Sequence, residues 1–530
     1  MKDLILKEII EKLIKYYFLK NELLDSFNGF EIEENIKFLK EKVTEFNNIS
    51  IEHTRQVISN NLCEKKKDSL YENEFLFLQK AIRSKGRGQS IRNIFNKTSN
   101  VIQDVFPIML MSPLSVAQYI DPEFPKFDLI IFDEASQIPT DIAVGAISRA
   151  NNCVVVGDPK QMPPTSFFGT NNIDENNLEL EDLESLLDDC LASNFPEKHL
   201  KWHYRSKHES LIHYSNRTYY NNSLYTYPSS DTLKSKVKFN NVHGNYERGS
   251  SRVNKKEANY IVTKLVEHLK SDSQDSIGVI TFNMQQQELI DNLLDEELIK
   301  YKDLDAKNSN SKESIFIKNL ENVQGDERDI ILFSTTFGPD TEGKFTMNFG
   351  PLNSEGGWRR LNVAITRARK EMNIISSFNP EEIDLNKTKS EGVRGLKGFL
   401  EYARNSDVIP AIINEAYDEE NGIAIVLKSE IAKYGFDSLV NFGNSDFKID
   451  LAINNPQNQK KYIMGVIIDG KNYYNAETSV DRNVIQPSVL KDLGWNIERI
   501  WSIDWYEDRD RQINKIINKL NNIVEETNYE

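Results

Sequence analysis

The sequence predicts a multidomain α/β protein. Its centre is built on parallel sheet, with a helical segment before it and a smaller α/β unit after it. Three observations predict this. Leu129 to Phe132 is a continuous apolar run, the pattern of a strand buried on both faces, and Val154 to Val156 repeat it after an intervening helix. Apolar residues recur at helical spacing through residues 1–95. From Ile423 onward the pattern becomes helix, strand pair, buried strand, helix, strand.

Composition narrows the class. A chain of 530 residues holds three or four domains. The net charge of −16 argues against a uniformly basic nucleic-acid coat, while leaving room for a local basic channel. The three cysteines, Cys63, Cys153 and Cys190, have no paired spacing, so neither a zinc ribbon nor a disulfide framework is expected. Together with an N-terminus interrupted by Lys7, Glu8, Glu11 and Lys12, and with no apolar run of membrane-spanning length, this predicts a cytoplasmic protein without a membrane partner.

In chain order, Leu6, Ile9, Ile10, Leu13 and Tyr17 share one helical face, and Ile32, Ile36, Leu39, Val43 and Phe46 repeat it, as in a helical stalk. The segment SKGRGQS has no lysine after its second glycine and no strand before it, so it is not a phosphate loop. No other segment meets the full Gly-x4-Gly-Lys-Ser/Thr pattern. Residues 106–120 predict a strand, then a helix opened by Ser112-Pro113. The strand at Leu129 delivers Asp133 and Glu134 to its carboxyl end, and the next strand delivers Gly157-Asp158. In open parallel sheets ligands sit at that end, and such acids suit hard cations and phosphates. The run LKWHYRSKHESLIHYSNRTYYNNSLYTYP places Arg205 in a basic, aromatic cluster. Gln324, Gly325 and Glu327 form a polar turn before the strand at Ile330, and Arg360, Arg367 and Arg369 bracket the helix start Leu361 to Ile365.

Asp133-Glu134-Ala-Ser-Gln, followed by Gly157-Asp158-Pro-Lys-Gln161-Met-Pro-Pro, resembles motifs II and III of superfamily 1 helicases of the nonsense-decay and Dna2-like branch. Arg205 stands where the motif IV arginine would, residues 277–290 resemble a motif Va-type element, Gln324 to Glu327 resemble motif V, and Arg367 resembles the motif VI arginine. The resemblance implies two RecA-like domains, the first incomplete because the phosphate-loop strand is missing, with ATP and Mg2+ between them. It implies that Asp133 holds the metal and Glu134 activates the attacking water. Gln161, Gln324, Gly325 and Glu327 would line the nucleotide, and Arg205 and Arg367 would reach the γ-phosphate. The implied substrate is single-stranded or junction DNA, with RNA not excluded. The implied partner is a second polypeptide carrying the phosphate loop, unless the chain is part of a longer protein.

The C-terminal unit resembles the very-short-patch-repair-like endonuclease domain, a PD-(D/E)XK-type fold. Glu430 on its first helix, Asp450 ending the FKID run and Asp469 before Gly470 match its acids, and Asp450 and Asp469 would share a metal. The central acid of that pattern is Ile467 here, and the expected histidine is Tyr474. The expected organisation is a helical segment (1–95), a partial first RecA-like domain (96–194), a second (195–384), a linker helix (385–415) and the endonuclease-like domain (416–530). Three functional readings stay open: an ATP-dependent helicase or translocase component, a non-hydrolysing DNA platform, and a Mg2+-dependent endonuclease positioned by an inactive helicase part. Repair or defence against foreign DNA follows only by analogy of architecture.

Overall fold

The computed structural model describes residues 2–65, 69–164, 185–231, 235–405 and 422–527. The N-terminal segment is helical, as its periodicity predicts. The longest helix, Gly29–Lys65, has 37 residues and therefore runs about 55 Å. Its start is fixed to the far end of the chain: Glu33 pairs with Arg499 (3.0 Å) and accepts from the Trp501 indole (3.2 Å), and Phe27 meets Trp501 edge-on. The helix Ser69–Arg83 is tied to the helix Ser99–Val105, whose free N-terminal amides at Asn100 and Val101 donate to Glu74.

The first α/β region holds β1 (Phe127–Phe132) and β2 (Ala150–Val155), paired in parallel across the helix Thr140–Ile147. Two expectations are corrected here. β1 is not buried on both faces: Leu129 and Ile131 are 47% and 61% exposed. Residues 106–111 form no strand, and Ile108 and Leu110 are 82% and 96% exposed. The physical reason is the same for both. Among the described residues no further strand pairs with this two-stranded sheet, so its apolar residues lack a layer to pack against. The helix after Ser112 does form, with Pro113 at its first position and the Ser112 hydroxyl accepting from Ser115 N–H.

The second α/β region is closed. After the short pair β3 (Trp202–His203) and β4 (Tyr225–Thr226) come β5 (Val237–Asn241), β6 (Ile277–Thr281), β7 (Phe316–Asn319), β8 (Arg328–Ser334) and β9 (Ala368–Ser376). These five form an all-parallel sheet in the order β5-β9-β8-β6-β7. Its faces bury separate cores, one against the helices Lys255–Lys270 and Met284–Lys300, the other against Ser210–Tyr219 and Gly357–Ile365. The helix Glu391–Arg404, expected within a linker, places Val393, Leu396, Phe399 and Leu400 in this second core.

The C-terminal unit has the sheet order β10 (Ser438–Phe442), β11 (Ile449–Asn455), β12 (Asn458–Ile468) and β13 (Ile497–Ile500). The first three are antiparallel and β13 runs parallel to β12. The helices Gly422–Ala432 and Arg509–Thr527 cover one face. Among the described residues no helix is long and apolar enough to cross a membrane.

Candidate functional site

Two places gather the residues that the sequence singled out. The first is the cleft between the α/β regions. On one side β1 ends at Phe132 and the chain turns through Asp133 and Glu134, both exposed. Glu134 has φ of 53°, a left-handed conformation that non-glycine residues adopt at a cost, and such strain clusters at functional positions. Its N–H donates to Asp133 Oδ1 (3.0 Å). Beyond β2, Asp158 accepts from Lys160 N–H (2.8 Å) and from the Gln161 amide (3.0 Å), which folds the turn under the cleft.

The other side comes from the amino ends of β8 and β9. Gln324 Nε2 reaches across to Glu134 Oε2 (3.2 Å) and Gln161 Oε1 (3.4 Å). Gly325 follows with φ of +87°, a conformation glycine adopts without strain and one that lets the chain turn back into β8. Arg205 Nε donates to Glu327 Oε2 (2.5 Å), and Arg369 approaches the same carboxylate (3.5 Å). Arg367 is buried, with Nε on Val363 O (2.7 Å) and Nη2 on Thr366 Oγ1 (3.1 Å). Burial, and then the nearby Arg205 cation, lower its pKa to about 10, against the pull of Glu134 and Glu327. At neutral pH it is still charged, and its hydrogen bonds run to carbonyl and hydroxyl oxygens. His203 lies behind both arginines. Burial first, then Arg205 and Arg367, push its pKa down to about 4, so it adds no third positive charge.

Three residues of this site lie outside the sequence reading. Tyr220 donates to Asp158 Oδ2 (2.7 Å), and its burial beside that carboxylate raises its pKa. Asn362 donates to Tyr220 (3.0 Å) and to Lys160 O (2.9 Å), and Arg359 donates to Pro159 O (3.1 Å). Together they hold the Asp158–Gln161 turn against the helix Gly357–Ile365. Asn362 lies within the helix start Leu361 to Ile365 and Arg359 just before it, so their position is the available signal; Tyr220 lies in the basic, aromatic run, where nothing sets it apart from its neighbours.

Two glycine-bearing segments serve other purposes. Gly86 ends the helix Ser69–Arg83, donating to Ala81 O (2.9 Å) with φ of +72°. Gly338 to Phe345 has phosphate-loop glycine spacing and Lys344, with Phe345 where Ser or Thr would bind metal. There the amide of Lys344 closes on Asp340 Oδ1 (2.8 Å), and no helix begins before Gly350.

The second place is the C-terminal unit. Asp450 on β11 is buried. It accepts from Ile468 N–H (2.7 Å) and the Asn472 amide (2.8 Å), and burial raises its pKa to about 6. Asp469, just past β12, accepts from Ser502 N–H (2.6 Å) and Ser502 Oγ (3.0 Å), and burial raises its pKa also. Both line one cleft. Glu430, on the first helix of this unit as expected, pairs with Lys433 (2.6 Å) and Arg509 (2.7 Å) and is not among the residues lining that cleft; their attraction, Lys433 first, lowers its pKa. Continuing the β11–β12 register by one residue sets Ile467 opposite Asp450, where it packs with Tyr462 and Trp495. Among the described residues no group of three or more His, Cys, Asp or Glu side chains is placed to share a metal ion. Asp133, Asp450 and Asp469 would each need ligands from water or substrate.

Comparison with known proteins finds matches along most of the chain. Two AAA-domain models match, AAA_11 over residues 10–167 and AAA_12 over residues 183–379, and the model REase_MTES_1575 matches residues 425–520. An uncharacterized ATP-dependent helicase of Mycoplasma genitalium is 27% identical over 457 residues, covering 80% of this chain and 40% of its own length. The 5'-3' DNA helicase ZGRF1 of Mus musculus is 31% identical over 48% of this chain and 13% of its own. The DNA replication ATP-dependent helicase/nuclease dna2 of Schizosaccharomyces pombe is 26% identical over 48% and 19%. The chain thus spans less than half the length of these relatives. It carries helicase AAA domains of the superfamily 1 type, followed by a restriction-endonuclease-like domain.

Proposed function

We propose that this chain of helicase AAA domains with a nuclease-like domain works in an ATP-driven motor on single-stranded DNA. The observation that carries the reading is the bridge from Gln324 to Glu134 and Gln161, with Arg205 and Arg367 directly behind it. An acid pair open to solvent faces two guanidiniums across a cleft between domains. That is the arrangement in-line phosphoryl transfer needs: an aspartate for Mg2+ and its water shell, a glutamate to orient and deprotonate water, and cations for the charge that develops on the phosphate. Asp133 and Glu134 take the first two roles, and Arg205 and Arg367 the third. Gln161 and Gln324 connect the domains, so closure about the nucleotide moves one against the other.

The phosphates also need a cradle of backbone N–H groups with a lysine. We place that cradle on polypeptide outside the described residues, carried by a second chain or by further sequence of the same protein. The apolar residues left open on β1, at Leu129 and Ile131, are where its strand and helix would pack. The test is to purify residues 1–530, then measure single-stranded-DNA binding, ATPase and mass. Binding of oligonucleotide with little ATP turnover is expected. Robust turnover by the pure monomer would overturn the external cradle, and absence of oligonucleotide binding would overturn the motor.

For the C-terminal unit we favour a DNA-binding role over cleavage, on the observation that Ile467 replaces an acid and Glu430 is tied to Arg509. Incubating the chain with supercoiled DNA and Mg2+ or Mn2+ tests this. Nicking that disappears in Asp450→Ala would reverse the preference.

A further inference from the structure

The loop that carries Arg205 is fastened on both sides to the nuclease-like domain. Upstream, β3 ends two residues before Arg205 and pairs with β4. The Trp202 ring of β3 stacks on Tyr227 (4.6 Å) and meets Phe447, from the β10–β11 turn, edge-on (5.4 Å). Trp202 and Tyr227 thereby pack into the same core as Ile449, Tyr462 and Trp495 of the nuclease-like domain. Downstream, Glu209 stands just before the helix Ser210–Tyr219 and is buried. Its carboxylate accepts from Thr226 Oγ1, from Asn444 N–H (3.2 Å) and from Asn444 Nδ2 (3.1 Å). Two of these three donors come from the β10–β11 turn. The next residue of that turn, Ser445, accepts from Thr226 N–H (3.0 Å) and donates to Thr226 O (3.1 Å).

An enclosed carboxylate is costly unless its oxygens are satisfied. Burial raises the pKa of Glu209, and the hydrogen bonds from Thr226 and Asn444 oppose that rise. Asn444 therefore offsets part of the cost of a charge that belongs to the other domain. Between the two anchors the loop has little freedom. Ser206 N–H donates to His203 Nε2 (3.3 Å), and Lys207 N–H donates to Arg369 O (2.7 Å) at the start of β9. Arg205 is held at the centre of this loop with its Nε on Glu327 (2.5 Å). A cation that must meet charge developing on a phosphate gains from such preorganisation, and a displacement of about 1 Å can cost about 10²-fold in rate.

We propose that Asn444 of the nuclease-like domain is a positioning residue for the motor: through Glu209 it sets where Arg205 stands, so that this domain takes part in ATP turnover. The proposal rests on the role given to Arg205 above and deepens it, by naming the groups outside the cleft that hold that arginine in place.

The test is a reciprocal exchange in the ATP-competent assembly. Asn444→Asp sets two carboxylates against each other, and Glu209→Gln sets two amides together. The double variant restores one amide–carboxylate pair with donor and acceptor exchanged, while the oxygen kept at position 209 still accepts from Thr226 and from the backbone N–H of residue 444. Each single variant should lower kcat about tenfold with little change in KM for ATP. The pair should return to within about twofold of the parent. Asn444→Ala keeps the backbone donor and adds no charge; with unchanged melting it should still lower kcat about threefold, which guards against a folding defect. Hydrogen exchange on the 530-residue chain reads the same loop: the amides of Ser206 and Lys207 should lose protection in the single variants and regain it in the pair, while those of β8 stay protected. Single variants that turn over like the parent, while Arg205→Ala slows the assembly, overturn the positioning role and leave the motor reading standing. A loss of turnover that the pair does not recover overturns it also. Unchanged turnover in Arg205→Ala overturns the role of Arg205 on which the proposal rests.

Discussion

The two acid-bearing sites of this molecule are built in opposite ways. In the interdomain cleft the acids are exposed and one of the cations is buried: Asp133 and Glu134 face solvent, while Arg367 is enclosed by Val363 O and Thr366 Oγ1 and Arg205 is partly exposed. In the nuclease-like domain the acids are the enclosed groups. Asp450 and Asp469 already accept hydrogen bonds from Ile468, Asn472 and Ser502, and Glu430 is paired with Lys433 and Arg509. A carboxylate open to water can exchange that water for a metal or a nucleophile at small cost. One that is desolvated and committed to backbone N–H groups must first give those up. The comparison teaches that the same residue type is left open to solvent in one place and satisfied by the fold in the other.

The sharpest way to break this contrast is Glu134→Gln in the ATP-competent assembly. Nucleotide binding should persist and turnover should fall about 10²–10⁴-fold, as for loss of a general base. An unchanged ATPase rate would show that the exposed acid is not the base. Arg367→Ala comes next, with an expected loss of about 10²–10³ in kcat and little change in nucleotide affinity, since a preorganised cation acts on the transition state. A rise in KM alone would instead assign Arg367 to ground-state binding.

Tyr220→Phe removes the donor to Asp158 and the acceptor for Asn362. A hydrogen bond to a charged group contributes about 1.5–3 kcal/mol, so DNA-stimulated turnover should drop by roughly tenfold with the basal fold intact. Equal stimulation in both proteins would remove Tyr220 from the coupling path.

The smallest effect concerns the enclosed acid. Asp450 has its pKa raised to about 6 by burial, above the ordinary value of 3.8. The folded state therefore binds the proton more tightly than the unfolded state does. Stability from this group is full at low pH and is lost as pH rises from the ordinary value through about 6. Asp450→Asn keeps an oxygen for Ile468 N–H and removes the buried charge. Its melting temperature should exceed the parent's at pH 8, by about 2–4 °C for each kcal/mol recovered, and the gain should shrink toward pH 4. A loss at pH 8 would mean that the charge is needed where it sits, and would bring the two sites closer in kind.

Much of this was legible in the amino-acid order. The long apolar run ending in Asp133-Glu134, the helix opened by Ser112-Pro113, the helical periodicity of the first 65 residues and the change of pattern at Ile423 all follow from local rules, because side-chain period and capping depend on neighbours in sequence. Asp133, Glu134, Gln161, Arg205 and Arg367 stand out in the amino-acid order by residue type and spacing, and the fold brings them to one interdomain cleft. What tertiary structure decided was which groups are already satisfied. Glu430 reads as a nuclease acid until Arg509, 79 residues away, takes its carboxylate. Leu129 reads as core until the sheet around it, among the described residues, shows two strands. Tyr220 reads as one aromatic among several until Asp158 and Asn362 meet on its hydroxyl. Periodicity sets which face a residue occupies; the partner waiting on that face comes from a distant part of the chain, and only the folded molecule brings it there.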